Sequence, residues 1–239
     1  MDIEELWNNS KWTLQAREIL KAIEKFPENS KIILVLRHSH RNEPTAREKM
    51  SKLRLTDIGH EAAKRFGEAL PLNRSIRLFH SVVWRCQETA EGILEGFRKK
   101  SGKGEIKGIL KPLFFAGTPP TFFVNTLKEI APIPFIYRWA AGHFSPESIM
   151  PFQQYCENAA KIIWNKLNST PENSIDIHIT HDIFLIALRL GWFELHPKKE
   201  WVPFLGGFAF ILRNNKITLF DRNKFIEKDT PHWWKYLNK

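Results

Sequence analysis

Two arginines and two histidines fall within five consecutive positions in RHSHR, Arg37 to Arg41, directly after the aliphatic run IILVL. Two later segments carry related chemistry: HSVVWR ends in Arg85, and THD supplies His181 and Asp182. A neutral imidazole with one free nitrogen can attack an electrophile, and a hydrogen bond on its other nitrogen fixes the tautomer. Guanidinium forks match the oxygens of a phosphoryl group and can stabilise charge that develops there. A neighbouring carboxyl group can give or take a proton. Together these side chains would suit chemistry on a dianion, provided the fold brings them to one place.

The elements between them make that convergence plausible in physical terms. KIILVL has too little alternation for a half-exposed strand and reads as one buried on both faces, typical of a parallel sheet covered by helices. LTDIGHEAAKRFGEAL reads as an amphipathic helix, with Thr56 as N-cap, Asp57 near the positive helix end, and Ile58, Ala62, Phe66 and Ala69 as the apolar stripe. SIRLFHS reads as a second strand and RCQETAEGILEGF as a second helix. PFQQYCENAAKIIWNKL is a further helix, SIDIHIT a strand, and DIFLIALRLGWF a buried helix closed near Gly191. FLGGFAFILRNNKITLFD reads as a hairpin turning at Asn214 and Asn215. In sheets of this kind ligands bind beyond the carboxyl ends of the strands, so the three polar clusters are expected in one crevice.

The expected fold is therefore α/β: a three-layer sandwich with a mostly parallel central sheet, helices on both faces and an antiparallel edge hairpin. One domain over residues 1–239 is expected, with two additions. Residues 1–27 form a helical extension with Trp12, Leu14, Ile19, Leu20 and Ile23 at helical spacing, ended by Pro27. About residues 100–150, rich in proline and aromatic residues, read as a strand plus short helices forming a lid. In that stretch Phe114, Phe115, Phe122, Phe123, Tyr137 and Trp139 are expected mostly in the core, with a minority lining a pocket.

Composition narrows the setting. The 239 residues are 43% hydrophobic and without low-complexity tracts, which excludes a disordered chain. Thirty-six Lys and Arg against 26 Asp and Glu give a formal charge of +10, favouring anionic partners or simply a soluble surface. The two cysteines, Cys86 and Cys156, form no CxxC, which argues against a disulfide scaffold and fits a reducing compartment. No secretory signal and no membrane-length apolar run is present, so a cytoplasmic protein is expected.

LRHSHRNEP resembles the arginine-histidine-glycine signature of the histidine phosphatase superfamily, which includes phosphoglycerate mutases and histidine acid phosphatases. LTDIGHEAA is similar to that family's leucine-threonine-x-x-glycine helix start. HSVVWRCQETAEGI resembles its serine-serine-proline-x-x-arginine strand exit, and ITHD its second catalytic histidine. The four segments keep the family's order. Ser39 departs from the glycine of the first motif, and His80, Val82 and Val83 depart from the third.

The resemblance implies that His38 is a nucleophile forming a phosphohistidine. It implies that Arg37, Arg41 and Arg85 hold the phosphoryl oxygens with His181, and that Asp182 protonates the leaving alcohol as in the acid phosphatase branch. The mutase branch takes its proton donor from a glutamate after the second helix; here only Glu105 lies in that region. A phosphatase acting on a small phosphorylated substrate, or on a phosphoprotein, is the expected activity. No metal or cofactor is expected, and nucleic acid is disfavoured as a partner. A mutase-type phosphotransferase and a non-catalytic phospho-ligand or nucleic-acid module on the same fold are the alternatives. His40 is expected to be a loop bystander, His178 a packing residue, Thr89 a helix contact, and RKK with Lys103 and Lys107 a solvated turn. Arg85 could alternatively pair with Glu88 or Glu91 on its own helix.

Overall fold

The computed structural model describes residues 3–43, 52–114, 120–197 and 201–234. Pro44 and Phe115, which belong to stretches singled out above, lie outside these residues. A seven-stranded sheet organises the chain, in the order β3-β2-β4-β1-β5-β6-β7. Four strands are parallel: β1 (Lys31–Arg37), β2 (Ser75–His80), β3 (Gly104–Ile109) and β4 (Ser174–Thr180). On the other side, β5 (Gly207–Arg213) pairs antiparallel with β1, and β6 (Lys216–Asp221) and β7 (Lys224–Asp229) continue the antiparallel series. The expected edge hairpin is thus a three-stranded unit. It turns at Asn214 and Asn215 as anticipated, and again at Arg222 and Asn223, all four with positive φ.

Helices α2 (Lys11–Ile23), α3 (Asp57–Glu68) and α4 (Trp84–Lys99) cover one face of the sheet. On the other face lie α6 (Pro132–Ala140), α7 (Phe152–Ile163) and α8 (Asp182–Phe193), with α5 (Pro120–Glu129) more peripheral, while α1 (Ile3–Asn9) packs on the first face through Trp7. Alternation along β1 joins both layers: Ile33 and Val35 belong to one core, and Ile32, Leu34 and Leu36 to the other. This double burial explains why the strand reads as an unbroken aliphatic run.

Several local expectations are corrected. The N-terminal extension is two helices, because the chain breaks at Ser10 in an extended conformation (φ −71°, ψ 137°). Leu14 is exposed, as are Ile58 and Ala69, so the buried stripe of α3 runs through Gly59, Ala62, Ala63, Phe66 and Gly67. Small residues at those positions let α3 pack tightly on α4, and the larger side chains at the margins are left in solvent. Helix α8 spans the expected segment DIFLIALRLGWF and is capped by Glu194 in the left-handed region. Gly191 is needed for contact, since a Cβ there would collide with the sulfur of Cys156. The 100–150 insertion is a strand plus short helices as expected. Much of it is core, for Phe135, Ile136 and Trp139 are buried against α7 and α8.

Candidate active site

The parallel strands β1, β2 and β4 end side by side, and each delivers polar residues at its carboxyl end. Arg37 is the last residue of β1, paired with Thr180 at the end of β4. His38 follows, its backbone N–H donating to the Thr180 carbonyl (3.0 Å). Ser81 follows β2 and donates its N–H to Ile179 (3.1 Å), while His181 follows β4 and stands as the N-cap of α8. Regular pairing between neighbouring strands therefore sets His38, Ser81 and His181 in one plane, and α4 brings Arg85 in above them.

The contacts among these side chains are close. The rings of His38 and His181 are 5.3 Å apart, nearly edge to face. Arg85 bridges them, with Nε donating to His38 Nε2 at 2.9 Å and an Nη 3.1 Å from His181 Nδ1. His38 Nδ1 lies 2.8 Å from the Ser39 carbonyl, an acceptor only, so the ring hydrogen sits on Nδ1 and the lone pair on Nε2. The same logic puts the His181 hydrogen on Nε2, 3.1 Å from Ser81 Oγ, because its Nδ1 accepts from Arg85. Burial pushes both imidazoles well below their ordinary pKa. For His38 the charges of His181, Arg85 and Arg37 add to this, and for His181 those of Arg85, Arg37 and Arg41. Both are neutral at physiological pH, as a nucleophile or hydrogen-bond partner must be.

The remaining charged residues complete a basic cluster. Arg37 reaches Asp182 at 2.8 Å and donates to the Val202 carbonyl at 2.8 Å. Asp182 accepts twice more, from Trp201 Nε1 (2.9 Å) and from the Ile183 backbone N–H (2.9 Å). Arg41 is buried, donates to the Asn42 carbonyl (2.8 Å), and lies 3.6 Å from the exposed Glu43. Burial lowers the Arg85 pKa to about 10, with Arg41 and Arg37 adding to the effect. The guanidinium stays protonated at any physiological pH. Glu88 accepts from Arg54 and the Leu55 N–H, and Glu91 from Gln87, so the alternative pairings of Arg85 are taken up elsewhere.

All six residues singled out for chemistry, Arg37, His38, Arg41, Arg85, His181 and Asp182, are brought to one end of the sheet. Ser39 does not intrude there. Its hydroxyl donates to the Gly59 carbonyl (2.7 Å) and its N–H to Thr89 Oγ1 (3.0 Å), so the side chain turns toward α3 and α4. Gly59 makes this fit possible, since a Cβ would strike the His40 carbonyl, and Thr56 caps α3 through the Gly59 N–H (3.1 Å). Thr89 is more than a helix contact, because it ties the His38 loop to the Arg85 carbonyl (2.7 Å). His40 is half-buried rather than loose, bonded to Thr56 Oγ1 at 2.8 Å and 5.5 Å from the Trp12 ring. Glu105 lies exposed on edge strand β3, paired with Lys107 at 2.7 Å, and does not join the cluster. Cys86 approaches His181 at 3.6 Å, but burial pushes its thiol up to about 12, leaving it un-ionised.

Sequence reasoning missed Phe204 beside the site, and named Phe114 among residues of which a minority would line a pocket. Phe204 packs 5.7 Å from His38 with the Arg37 guanidinium 4.2 Å above its ring, and Trp12 of the N-terminal extension lies 6.1 Å from Phe204. Phe114 packs 5.1 Å from His181, held by a hydrogen bond from Thr180 to Leu113. Two cavities of about 560 and 550 Å³ lie elsewhere, lined respectively by residues such as Lys31, Trp164 and Trp234, and Tyr137, Phe152 and Trp233. Among the described residues no helix is long and apolar enough to cross a membrane, and no group of three or more His, Cys, Asp or Glu side chains could hold a metal ion.

No protein-family model and no curated protein sequence matches this chain. Solved structures do. A phosphoserine phosphatase variant from Entamoeba histolytica, in complex with phosphoserine, aligns at 16% identity over 82% of this chain and 96% of its own, with a TM-score of 0.53. The same organism's phosphoserine phosphatase with 3-phosphoglyceric acid gives 16% identity, 84% and 98% coverage and 0.52. A mycobacterial glucosyl-3-phosphoglycerate phosphatase complexed with VO3 gives 14%, 80% and 98%, and 0.53. The chain thus has the fold of these phosphatases, the one expected for the histidine phosphatase superfamily.

Proposed function

We propose that the chain is a member of the histidine phosphatase superfamily that hydrolyses phosphate monoesters through a phosphohistidine on His38. The observation that carries this reading is the His38 tautomer: Nδ1 is bonded to the Ser39 carbonyl, and Nε2 presents its lone pair beside Arg85. Arg85 turns its donors to the phosphoryl oxygens as substrate enters, alongside Arg37, Arg41 and His181, and uncovers Nε2. Nε2 then attacks phosphorus and the bond to the ester oxygen breaks, with Asp182 giving that oxygen its proton. In the second half water attacks phosphorus, Asp182 takes the proton, the P–N bond breaks, and phosphate and neutral His38 are released. The three guanidinium groups stabilise the charge on the transferring group, usually the largest single catalytic contribution.

The reading assigns the chemistry to the protein's own side chains and requires no metal, so a chelator should leave the rate unchanged. The fold shared with phosphatases whose solved complexes hold phosphoserine, 3-phosphoglyceric acid and VO3 supports a small phosphorylated substrate. Glu105, paired with Lys107 on the edge strand, offers no glutamate for the mutase alternative. The two free, buried thiols fit a reducing, cytoplasmic setting.

The test is His38→Ala. Hydrolysis of a generic aryl phosphate should fall by roughly 10⁴-fold or more, as on loss of a covalent nucleophile, with the melting temperature retained. Wild-type protein incubated with ³²P-labelled substrate and quenched in alkaline detergent should carry alkali-stable, acid-labile label that the variant lacks. Full activity in His38→Ala would overturn the reading. Vanadate or phosphate should raise the wild-type melting temperature by linkage.

A further inference from the structure

We propose that the site selects phosphate monoesters with an aromatic leaving group, and that Trp201 is the residue that selects them. The proposal rests on the phosphatase reading above and names its substrate class. Trp201 Nε1 donates to Asp182 Oδ2 at 2.9 Å, the same oxygen that Arg37 reaches at 2.8 Å. Asp182 hands its proton to the ester oxygen, so whatever that oxygen carries lies beside the indole. The indole is 36% exposed and free to receive it.

Other apolar and aromatic side chains neighbour the site residues in the chain or in space. Val82 and Trp84 are 56% and 54% exposed, and they flank the residues that reach His181 and His38, Ser81 and Arg85. The Arg54 guanidinium lies 4.7 Å over the Trp84 ring. Phe114 and Phe204 line the inner wall beside His181 and His38. Aromatic rings beside the two histidines favour stacking with an aromatic group.

The proton chemistry points the same way. Three donors, from Arg37, Trp201 and Ile183, aim at the Asp182 carboxyl group, so it takes up the proton it gives to the ester oxygen only as substrate enters and Arg37 turns to the phosphoryl oxygens. An alkoxide is a strong base that needs its proton as the bond breaks. An aryl oxide is a far weaker base and departs with little help, which suits this carboxyl group.

Free phosphotyrosine and phosphoserine share their carboxylate and ammonium groups and differ in the leaving group, so they make the test. In Trp201→Ala, KM for phosphotyrosine should rise about 3- to 10-fold more than for phosphoserine, the size of an aromatic stacking contact. Trp201→Phe keeps a ring and loses the N–H. It should restore the phosphotyrosine KM, and its loss in kcat through Asp182 should fall more heavily on phosphoserine than on phosphotyrosine. Equal rises in KM for the two esters in Trp201→Ala would overturn the selectivity. Failure of the underlying reading looks different: the wild type would release phosphate from neither ester nor from any generic aryl phosphate, and the proposal would fall with it.

Discussion

Strands β2 and β4 carry two buried charged clusters within a few residues of each other, and they are built on opposite plans. In mid-sheet, Arg77 donates to both Asp176 oxygens (2.7 and 2.6 Å), to the carbonyls of Ser169 and Lys166 (3.1 Å each), and to Thr170. Every nitrogen of that guanidinium has an acceptor. At the strand ends, three buried guanidinium groups gather around two neutral imidazoles and one carboxyl group. There Nε of Arg37 and Nε of Arg41 have no partner among the described residues. A saturated pair holds strands together; an excess of buried donors is costly to fold and leaves positive charge without a matching partner.

The contrast is broken or sharpened first at Arg77. Arg77→Ala leaves Asp176 buried and uncompensated, and should cost about 3–5 kcal/mol in urea denaturation, with turnover per folded molecule close to wild type. Replacing the pair together, Arg77→Met with Asp176→Leu, should recover most of that loss, because no charge is then stranded. An Arg77→Ala protein of unchanged stability would refute the structural assignment of this cluster.

Arg85→Ala probes the other plan. It should lower kcat by about 100-fold or more, equivalent to about 2.7 kcal/mol of transition-state stabilisation, while costing much less in denaturation than Arg77→Ala. The two substitutions together form a crossed pair, one read out in stability and the other in rate. If both variants lost stability and activity in the same proportion, the clusters would not be functionally distinct.

The ends of this contrast differed in how well the sequence announced them. IILVL, Thr56 and Asn214–Asn215 are local signals, because burial on two faces, a helix cap and a positive-φ turn each depend on a few adjacent residues. Arg37, His38, Arg85, His181 and Asp182 were legible because strand ends in a parallel sheet converge by topology alone. Trp201 and Phe204 were not. They sit in WVPFLGG, a stretch without periodicity, and reach the site only because Gly206 accepts from the Arg37 N–H (2.8 Å) and Val202 from its side chain. The role of Trp12 was hidden for the same reason: helical spacing shows which residues share a face, not which distant loop that face meets. Strand β7 escaped notice because its pattern is that of an edge strand with most side chains in solvent.

His178 gives the smallest and most delicate test. It stacks on Phe79 (4.9 Å, 9° between planes) beside the saturated cluster, with neither ring nitrogen hydrogen-bonded among the described residues. Burial lowers its pKa to about 4; Lys166 and Arg77 push the same way and Asp176 opposes them. The native state therefore binds fewer protons than the unfolded chain between pH 4 and 6.5, so stability is full above that window and is lost as pH falls through it. His178 alone should contribute about 2 kcal/mol of that loss between pH 7 and pH 5. His178→Phe should flatten the stability–pH curve by this amount, measured as the difference in unfolding free energy at the two pH values. The acid sensitivity that remains in the variant belongs to His38 and His181, whose pKa values are also depressed by burial. That remainder should shrink again when saturating phosphate is added, because an anion among the arginines offsets the positive charges that oppose protonation of those rings. An unchanged slope in His178→Phe would mean that the mid-sheet cluster is hydrated enough to titrate like solvent, and the saturated half of the comparison would fail.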